Sequence, residues 1–325
     1  MGLETLTASD ANTFDILVIG AGPAGLTAAI YGAKANLKVG FIEYDVPGGK
    51  IVNLPNITNY PGYKAVNGAD LALNMYTQAT ESGAIYIFGK VTGITKRQNY
   101  HVAFLENGVN YFAKSIILAT GTTEIKLNVP GESEYTNKGV SYCVLCDGML
   151  TKNKNSVIFG NSDIAILDAI YLAGISRKVY LVTKEAKINA DQISVQMLKK
   201  YPNIEIINDA ICSEIKGDKQ QVTSVDINLN GAIKSLSVSY VFVVVGSHSD
   251  SSLLAHVSQA VDKDGIVITD ENRQTKVEGI FAAGDLIKSK YHQISTAVGD
   301  GALAAISAIK YIKQEWTSKN TNANI

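Results

Sequence analysis

The stretch Asp15-Ile16-Leu17-Val18-Ile19-Gly20-Ala21-Gly22-Pro23-Ala24-Gly25 decides the fold of this chain. Its short apolar run is typical of a buried strand, and the G-x-G-x-x-G spacing that follows is typical of a tight turn into a helix. Gly20 permits the turn, Gly22 lets the backbone approach a pyrophosphate, and Gly25 brings the helix close to the sheet. The stretch therefore predicts the start of a dinucleotide-binding unit.

The residues after this turn complete the unit. Helix-forming residues occupy Leu26 to Ala35, and Lys38 to Ile42 resumes the character of a strand. Glu43 lies 18 residues after Gly25, where an acidic side chain receives the hydroxyls of an adenosine ribose. Because a glycine motif alone is weak evidence, the strand, turn, helix and strand context is what favours a nucleotide site over a purely structural βαβ unit.

A second stretch, Ser156-Val157-Ile158-Phe159-Gly160-Asn161-Ser162-Asp163-Ile164-Ala165, repeats the pattern with changes. Gly160 keeps the first glycine, but Ser162 stands at the middle position, where a side chain obstructs a pyrophosphate. After the next strand, Lys178 to Val182, the chain reads Thr183-Lys184-Glu185. This run has neither an acid at the ribose position nor an arginine for a 2′-phosphate. The second copy therefore predicts a scaffold without its usual ligand contacts.

Between the copies lies Ser141-Tyr142-Cys143-Val144-Leu145-Cys146-Asp147-Gly148. Two cysteines at this spacing can exchange two electrons as a disulfide. The alternative is half of a zinc site, but zinc needs four ligands and no second Cys-x-x-Cys exists. The other cysteine and the histidines are scattered: Cys212, His101, His248, His256 and His292. Spacing therefore favours redox chemistry.

Composition narrows the class of protein. A chain of 325 residues predicts about two domains. Its 46% hydrophobic and 18% charged residues are typical of a globular protein and exclude a disordered one. A net charge of -1 gives no broad electrostatic surface for nucleic acid or an anionic membrane, and no apolar run is long enough to span a bilayer.

Location is predicted from the N-terminal segment and from cysteine usage. Met1 to Thr13 is polar and lacks the basic and apolar regions of a signal peptide, so it is predicted to be a disordered lead-in. Three cysteines do not make an extracellular disulfide framework. A reducing cytoplasm is therefore the expected compartment.

The remaining segments predict a long loop, a helix and a meander. Gly48-Gly49 and the turn formers between Asn53 and Gly62 predict a loop, and the spacing of apolar residues from Ala69 to Ser82 predicts a helix. Short alternating runs between Ile85 and Ile117 predict an antiparallel meander. The run Ser115 to Gly121 is predicted to be a buried strand, after which a domain boundary is expected.

Near the C-terminus, Gly279 to Asp285 predicts a strand that ends in an acid. Tyr291-His292-Gln293 and a small-residue helix from about Ser295 to Ile312 follow it. An acid at a strand end and an inward-facing helix start suit a ribityl chain and an electron-rich ring system. Plain βα packing is an equal alternative on these residues alone.

Together these motifs resemble the low-molecular-weight thioredoxin reductases, in the same order and over almost the whole chain from Asp15 to Ile312. The segments that carry the resemblance are Gly20-Ala21-Gly22-Pro23-Ala24-Gly25, Gly48-Gly49, Asn59-Tyr60-Pro61-Gly62, Ala119-Thr120-Gly121, Cys143-Val144-Leu145-Cys146-Asp147-Gly148, Ala283-Gly284-Asp285 and Gln293. The resemblance implies an α/β fold of two Rossmann-like nucleotide-binding domains, each a three-layer ββα structure. Residues 1–121 and 250–325 would form an FAD-binding domain and 122–249 an inserted dithiol-bearing domain, in a homodimer.

The resemblance also implies roles for individual residues. Cys146 would face the flavin C4a, Cys143 would exchange with the disulfide of thioredoxin or a similar protein, and Asp147 would shuttle the proton. Glu43 would hold the FAD ribose. The other residues implied to bind FAD are Gly20, Gly22, Pro23, Ala24, Gly25, Gly49, Lys50, Asn59, Gly121, Gly284, Asp285, Gln293 and Ile294. Lys50 and His292 replace the usual glutamine and arginine, and FAD binding remains the expectation.

Three departures from the family fall in the second domain. NADPH-dependent members carry an intact glycine motif, a His-Arg-Arg run and a Gly-His-x-Pro segment. The chain instead reads Gly160-Asn161-Ser162, Thr183-Lys184-Glu185 and Gly246-Ser247-His248-Ser249-Asp250. Each lost contact is worth on the order of 1–3 kcal/mol, so NADPH use is doubtful. The sequence is similar to relatives that draw electrons from ferredoxin or another donor.

The expected function is thus an FAD-dependent, thioredoxin reductase-like oxidoreductase that passes electrons from flavin through Cys143 and Cys146 to a protein disulfide. Two alternatives stay open. One is a conventional NAD(P)H-dependent thioredoxin reductase with an unusual pocket. The other is a flavin redox sensor or partner-binding protein that does not turn over. A ferredoxin–NADP reductase is disfavoured because its reaction has no use for a dithiol.

Overall fold

The computed structural model describes residues 9–190, 192–249, 253, 261–262, 265–289, 291–316 and 318. The chain divides into two compact units, residues 1–123 with 248–325, and residues 124–247. Residues 122–249 were the expected second domain. Residues 1–8 of the polar lead-in, Asp250 and His256 lie outside the described residues.

Each unit combines α-helices with both parallel and antiparallel strands. The strands are β1 (Thr13–Ile19), β2 (Val39–Glu43), β3 (Ile85–Phe88), β4 (Val91–Arg97), β5 (Tyr100–Leu105), β6 (Asn110–Leu118), β7 (Thr122–Glu124), β8 (Val140–Ser141), β9 (Asn155–Gly160), β10 (Lys178–Val182), β11 (Ile204–Ile207), β12 (Ala210–Gly217), β13 (Val222–Leu229), β14 (Ala232–Ser237), β15 (Tyr240–Val244), β16 (Ser247–Ser249) and β17 (Ile280–Ala282). The α-helices are α1 (Pro23–Lys34), α2 (Gly68–Glu81), α3 (Val144–Asp147), α4 (Asp163–Ala173), α5 (Gln192–Leu198) and α6 (Ile294–Lys310). No helix among the described residues is both long and apolar enough to cross a membrane.

The first unit is built on one mixed sheet with the strand order β3-β2-β1-β6-β5-β4. The carboxyl half of β6 also pairs in parallel with β17, whereas its amino half pairs antiparallel with β5. Along β1, Ile16 and Val18 pack with the helix-side core, while Leu17 and Ile19 pack with the core on the other face. Because both faces are buried, the parallel strand reads as a continuous apolar run.

The meander is shorter than predicted. Only β4, β5 and the start of β6 are antiparallel, while β3 pairs in parallel with β2. The reason is the helix α2, which lies between β2 and β3 and returns the chain to the same end of the sheet. Residues 85–88 therefore belong to a βαβ unit.

The second unit repeats the layered plan. Its sheet has the order β11-β10-β9-β15-β8, and every pair in it is parallel. Residues of α4 pack on one face of this sheet. A three-stranded antiparallel sheet of β12, β13 and β14, which was not predicted from the sequence, packs on the other face. The prediction of an α/β fold with two Rossmann-like domains is confirmed.

Candidate functional site

The glycine turn of the first unit has two packed positions and one open position. A Cβ on Gly20 would lie 2.3 Å from the carbonyl oxygen of Ala119, and Gly20 has a φ of +101°. A Cβ on Gly25 would lie 1.9 Å from the Gly20 oxygen. A Cβ on Gly22 would meet no atom within 4 Å. Gly20 and Gly25 are thus required by packing, whereas Gly22 leaves the approach to the helix open.

The start of α1 has the properties of an anion site. Gly22 is its N-cap and supplies no side-chain hydrogen bond, and the first turn contains no acidic residue. The first N–H groups of a helix have no partner within the helix and carry partial positive charge. The helix start therefore fits the pyrophosphate of a dinucleotide.

Glu43 is fixed at the end of β2 beside this turn. Its Oε2 accepts a hydrogen bond from the backbone N–H of Ala21 at 2.9 Å. Its Oε1 accepts from the N–H groups of Tyr44 and Asp45, at 2.9 and 3.1 Å. A carboxylate has about four acceptor positions, so the oriented Glu43 can still receive a ribose hydroxyl.

Two glycine loops lie against the same turn. Gly49 has a φ of +59°, and a Cβ on it would lie 3.3 Å from the Cα of Gly22. Gly284 has a φ of +76°, and a Cβ on it would lie 2.9 Å from the Cβ of Ala24. The loop after β2 and the turn after β17 therefore meet around the glycine turn, although they are far apart in sequence.

Polar side chains link these loops. The ammonium of Lys50 lies 2.8 Å from Thr122 Oγ1 and 3.4 Å from Asp285 Oδ2. The amide of Asn59 donates to Gln293 Oε1 at 3.1 Å. Lys50 thus lies beside Thr122 and Asp285, and Asn59 lies beside Gln293, although these residues are far apart in sequence.

The start of α6 is a capping box. The Gln293 side chain accepts from the backbone of Thr296, and the Thr296 hydroxyl accepts from the N–H of Gln293 at 3.1 Å. Ile294 is the first helical residue, so its position is fixed by this cap. Gly121 has a φ of +68°, and a Cβ on it would meet no atom within 4 Å.

Most of the residues implied to bind FAD lie in the segments that follow β1, β2, β6 and β17, and Gln293 and Ile294 lie at the start of α6. Carboxyl ends of parallel strands meet at one edge of a sheet, where open α/β proteins bind ligands. The open Gly22, the uncapped α1 and the oriented Glu43 all fit a dinucleotide at this edge. We name this edge of the first unit the flavin crevice.

The corresponding helix start in the second unit is already capped. The Ser162 hydroxyl accepts from the N–H of Ala165 at 3.3 Å, and Asp163 stands in the first turn. A Cβ on Gly160 would lie 2.7 Å from both Ala165 Cβ and the carbonyl oxygen of Val244. Packing therefore explains Gly160. The start of α4 is a weaker anion-binding site than the start of α1, because one of its N–H groups is already capped and a carboxylate lies in its first turn.

A cleft of about 430 Å³ lies beside this helix start. Its lining residues are Asn161, Glu185, Ala186, Lys187 and Asn189. The side-chain oxygen of Asn161 accepts from the N–H of Asn189 at 2.7 Å. Thr183 is buried, and its hydroxyl accepts from the N–H of Glu185 at 3.2 Å. The residue at the ribose position is therefore engaged with the backbone.

Cys143 and Cys146 form a disulfide bond in the second unit. Cys143 is the N-cap of α3, and its Sγ accepts a hydrogen bond from the N–H of Cys146 at 3.2 Å. Cys146 is exposed, while Cys143 is half-buried. A thiolate formed at Cys143 on reduction would keep this N–H donor.

Ser141 connects the carboxylate of Asp147 to the dithiol. Its hydroxyl donates to Asp147 Oδ2 at 2.6 Å, and its Oγ accepts from the N–H of Cys143 at 3.1 Å. No sequence motif assigns a role to Ser141. The available signal was a hydroxyl two residues before the first cysteine of the pair.

Glu132 is a second residue that sequence reasoning missed. It is only 2% exposed, and its carboxylate accepts from the N–H groups of Leu127 and Asn128, at 2.9 and 2.7 Å. It also accepts from the Tyr142 hydroxyl at 3.0 Å. Burial and this carboxylate raise the pKa of Tyr142 to about 12. The residue before Cys143 is therefore held by a hydrogen bond to a buried carboxyl group.

Cys212, the third cysteine, is buried on β12. Burial raises the pKa of its thiol to about 12, which makes it a poor nucleophile at neutral pH.

Comparisons with known proteins agree with this geometry. Residues 14–301 match the family model described as Pyridine nucleotide-disulphide oxidoreductase. The thioredoxin reductase of Listeria innocua is 37% identical over 309 residues, which cover 94% of this chain and 96% of that protein. The chain belongs to the thioredoxin reductase family. The prediction of family membership and of a flavin-dependent disulfide oxidoreductase is thus confirmed.

Solved structures of thioredoxin reductases show the same fold. The enzyme from Streptococcus pyogenes has a TM-score of 0.87 and 36% identity, covering 93% of this chain and 99% of that chain. The enzyme from Giardia duodenalis has a TM-score of 0.88 and 33% identity, covering 94% and 99%.

Proposed function

We propose that this protein is an FAD-dependent thioredoxin reductase-like enzyme whose electrons come from a donor other than NADPH. The observation that carries the proposal is the contrast between the two helix starts. Gly22 leaves the start of α1 open, whereas Ser162 caps the start of α4 with its own hydroxyl. One chain thus keeps one dinucleotide site and alters the other.

FAD is the cofactor that the first unit supports. When bound, it supplies a carrier that accepts electrons from a donor and passes two of them to a disulfide. The start of α1 would hold its pyrophosphate and Glu43 its ribose, while Asp285 and Gln293 would hold the ribityl and isoalloxazine parts.

The dithiol carries the second half of the reaction. Reduced Cys143 attacks the disulfide of thioredoxin or a similar protein, one substrate sulfur leaves, and a mixed disulfide forms. Cys146 then attacks Cys143 and releases the second substrate sulfur, so the enzyme regains its disulfide and the substrate becomes a dithiol. Asp147 would shuttle a proton: its carboxylate would take the proton that Cys146 loses as that thiol attacks and pass it to a leaving thiolate, while the Ser141 hydroxyl orients the carboxylate. The N–H of Cys146 supports Cys143 as the attacking thiolate.

The second cleft supports the proposal about the donor. A 2′-phosphate favours arginine, but the charged residues that line the cleft are Glu185 and Lys187, and the carboxylate offsets the attraction of the ammonium for a phosphate. Thr183 is buried, and Asp163 adds a negative charge at the helix start. A low-potential one-electron protein of the ferredoxin type is the donor class we favour. The family is named for a pyridine nucleotide, which is the donor that this proposal replaces. The proposal about the donor therefore rests on the residues of this chain's own cleft and not on the family.

We extend the proposal to assembly and compartment. A homodimer through the FAD-binding domains follows the family resemblance. A cytoplasmic location is supported by the cysteine usage, since a dithiol with one further buried cysteine suits a reducing compartment.

Anaerobic titration tests the donor. Stoichiometric NADPH is expected to leave the flavin absorbance unchanged over a turnover time, while reduced ferredoxin or reduced methyl viologen bleaches it. Bleaching by NADPH within that time would refute the alternative donor and restore the conventional NAD(P)H-dependent reductase.

Replacement of the first cysteine tests the electron path. The variant Cys143→Ser is expected to lose thioredoxin reduction and to keep donor-dependent flavin bleaching. A wild-type protein that is bleached by the donor but reduces no thioredoxin would instead favour a redox sensor that does not turn over.

A further inference from the structure

Lys50 occupies an unusual position in the flavin crevice. It follows Gly49, whose Cβ position lies 3.3 Å from the Cα of Gly22. Its ammonium reaches Asp285 Oδ2 at 3.4 Å and Thr122 Oγ1 at 2.8 Å. One cation thus touches segments that follow β2, β6 and β17, all at the carboxyl edge of the parallel strands.

The two partners of this cation described above differ in charge. The Thr122 hydroxyl is neutral, and the Asp285 carboxylate is at the long end of an ion-pair distance. The Lys50 side chain is 41% exposed and that of Asp285 is 20% exposed, so solvent screens the pair in part. Two acceptors on different segments nevertheless fix where the positive charge lies.

We propose that Lys50 is an electrostatic residue of the flavin crevice, positioned by Asp285 and Thr122, that shifts the bound flavin toward its reduced state. The inference rests on the proposed function, because it requires FAD at this edge. Reduction at neutral pH adds two electrons and one proton to the ring system, which gains one negative charge. The electrons come from the ferredoxin-type donor and the proton from solvent. A fixed cation near that charge favours the reduced form.

A purely structural role is the competing explanation. If Lys50 only ties the loop after β2 to Asp285, its replacement would weaken FAD binding or folding without changing the redox equilibrium of bound flavin. Exposed ion pairs contribute little stability, so a structural role alone predicts a small effect. The redox equilibrium of the loaded protein therefore separates the two roles.

The test compares four variants at saturating FAD. Lys50→Gln removes the charge and keeps a polar side chain, Lys50→Arg keeps the charge, and Thr122→Val removes one positioning partner. Lys276→Gln is the matched control, because Lys276 is exposed and precedes β17 at its amino end, on the opposite edge of the sheet. The readout is the ratio of reduced to oxidised flavin absorbance, at equilibrium with a reference dye of known potential.

The Lys50→Gln variant is expected to lower the reduced-to-oxidised ratio on the order of threefold to tenfold at a given dye potential. Lys50→Arg and Lys276→Gln should stay within about twofold of wild type, and Thr122→Val should lie between Lys50→Gln and wild type. Equal ratios in Lys50→Gln and Lys276→Gln would overturn the inference while leaving the proposed function intact. A wild-type protein that binds no FAD would overturn the proposed function itself.

Discussion

His101 is expected to make the first unit lose stability in acid. It lies on β5, is 2% exposed, and its Nδ1 has no hydrogen-bond partner among the described residues. Burial, with a smaller contribution from Lys96, lowers the pKa of His101 to about 4, and Glu278 opposes the shift. The folded protein therefore keeps this imidazole neutral at pH values where the unfolded chain protonates it.

The sign and size of the effect follow from this difference. Unfolded His101 has a pKa of 6.5, so between pH 6.5 and 4 the unfolded state binds more protons than the native state. Stability is fully present above the unfolded pKa and falls as the pH drops through this window. Each unit of pKa is worth about 1.4 kcal/mol, so the loss is about 2 kcal/mol at pH 5 and about 3 kcal/mol below the folded pKa.

Urea denaturation of wild type and His101→Gln at pH 5 and about pH 8 measures this loss. The single tryptophan is a suitable reporter, since the Trp316 indole donates to the backbone oxygen of Asn99, two residues from His101. Other groups titrate in both proteins, so the informative quantity is the difference between their pH dependences. Wild type should lose about 2 kcal/mol more than the variant on acidification. Equal losses, within about 0.5 kcal/mol, would refute the assignment of this pH dependence to His101.

Three further predictions concern the two glycine turns and the second unit. Gly25→Ala would place a methyl group 1.9 Å from the Gly20 oxygen, so flavin absorbance per polypeptide should fall well below wild type; unchanged occupancy would contradict the packing role. Ser162→Ala removes the cap of α4 and should lower the free energy of unfolding by about 1 kcal/mol, whereas no change in the urea midpoint would argue against the cap. Burial raises the pKa of Asp168 to about 6, above its unfolded value of 3.8, so acidification through that window should stabilise the protein. Asp168→Asn should remove this gain and raise the free energy of unfolding by about 2 to 3 kcal/mol at neutral pH. A variant whose free energy of unfolding depends on pH as that of wild type does would exclude the shift.

The local sequence predicted the parts of the fold whose chemistry is local. Gly20 and Gly25 were identified as turn and packing positions, and the structure shows carbonyl oxygens where their Cβ atoms would lie. Ser162 was identified as an obstruction, but its actual role, capping Ala165, depends on the orientation of its hydroxyl. The parallel pairing of β3 with β2 was not predicted. The residue pattern of a four-residue strand does not show whether its neighbour in the sheet is parallel or antiparallel.

Contacts between distant segments could not be predicted in the same way. The bond between Ser141 and Asp147 needs the short turn into α3, and the bond between Glu132 and Tyr142 needs a buried carboxylate facing the strand before the dithiol. Such pairs have no sequence spacing of their own. They exist because burial of a polar group requires a partner, and the fold selects that partner.

The sequence by itself determined the two Rossmann-like units, the intact first glycine motif and the pair of cysteines that can form a disulfide, because each follows from the spacing of a few residues along one stretch. Only the tertiary structure decided which residues meet at the flavin crevice, where Lys50 lies beside Asp285 and Thr122, and Asn59 beside Gln293. The physical reason is that parallel strands bring their carboxyl ends to one edge, and side chains more than 200 residues apart then lie within hydrogen-bonding distance.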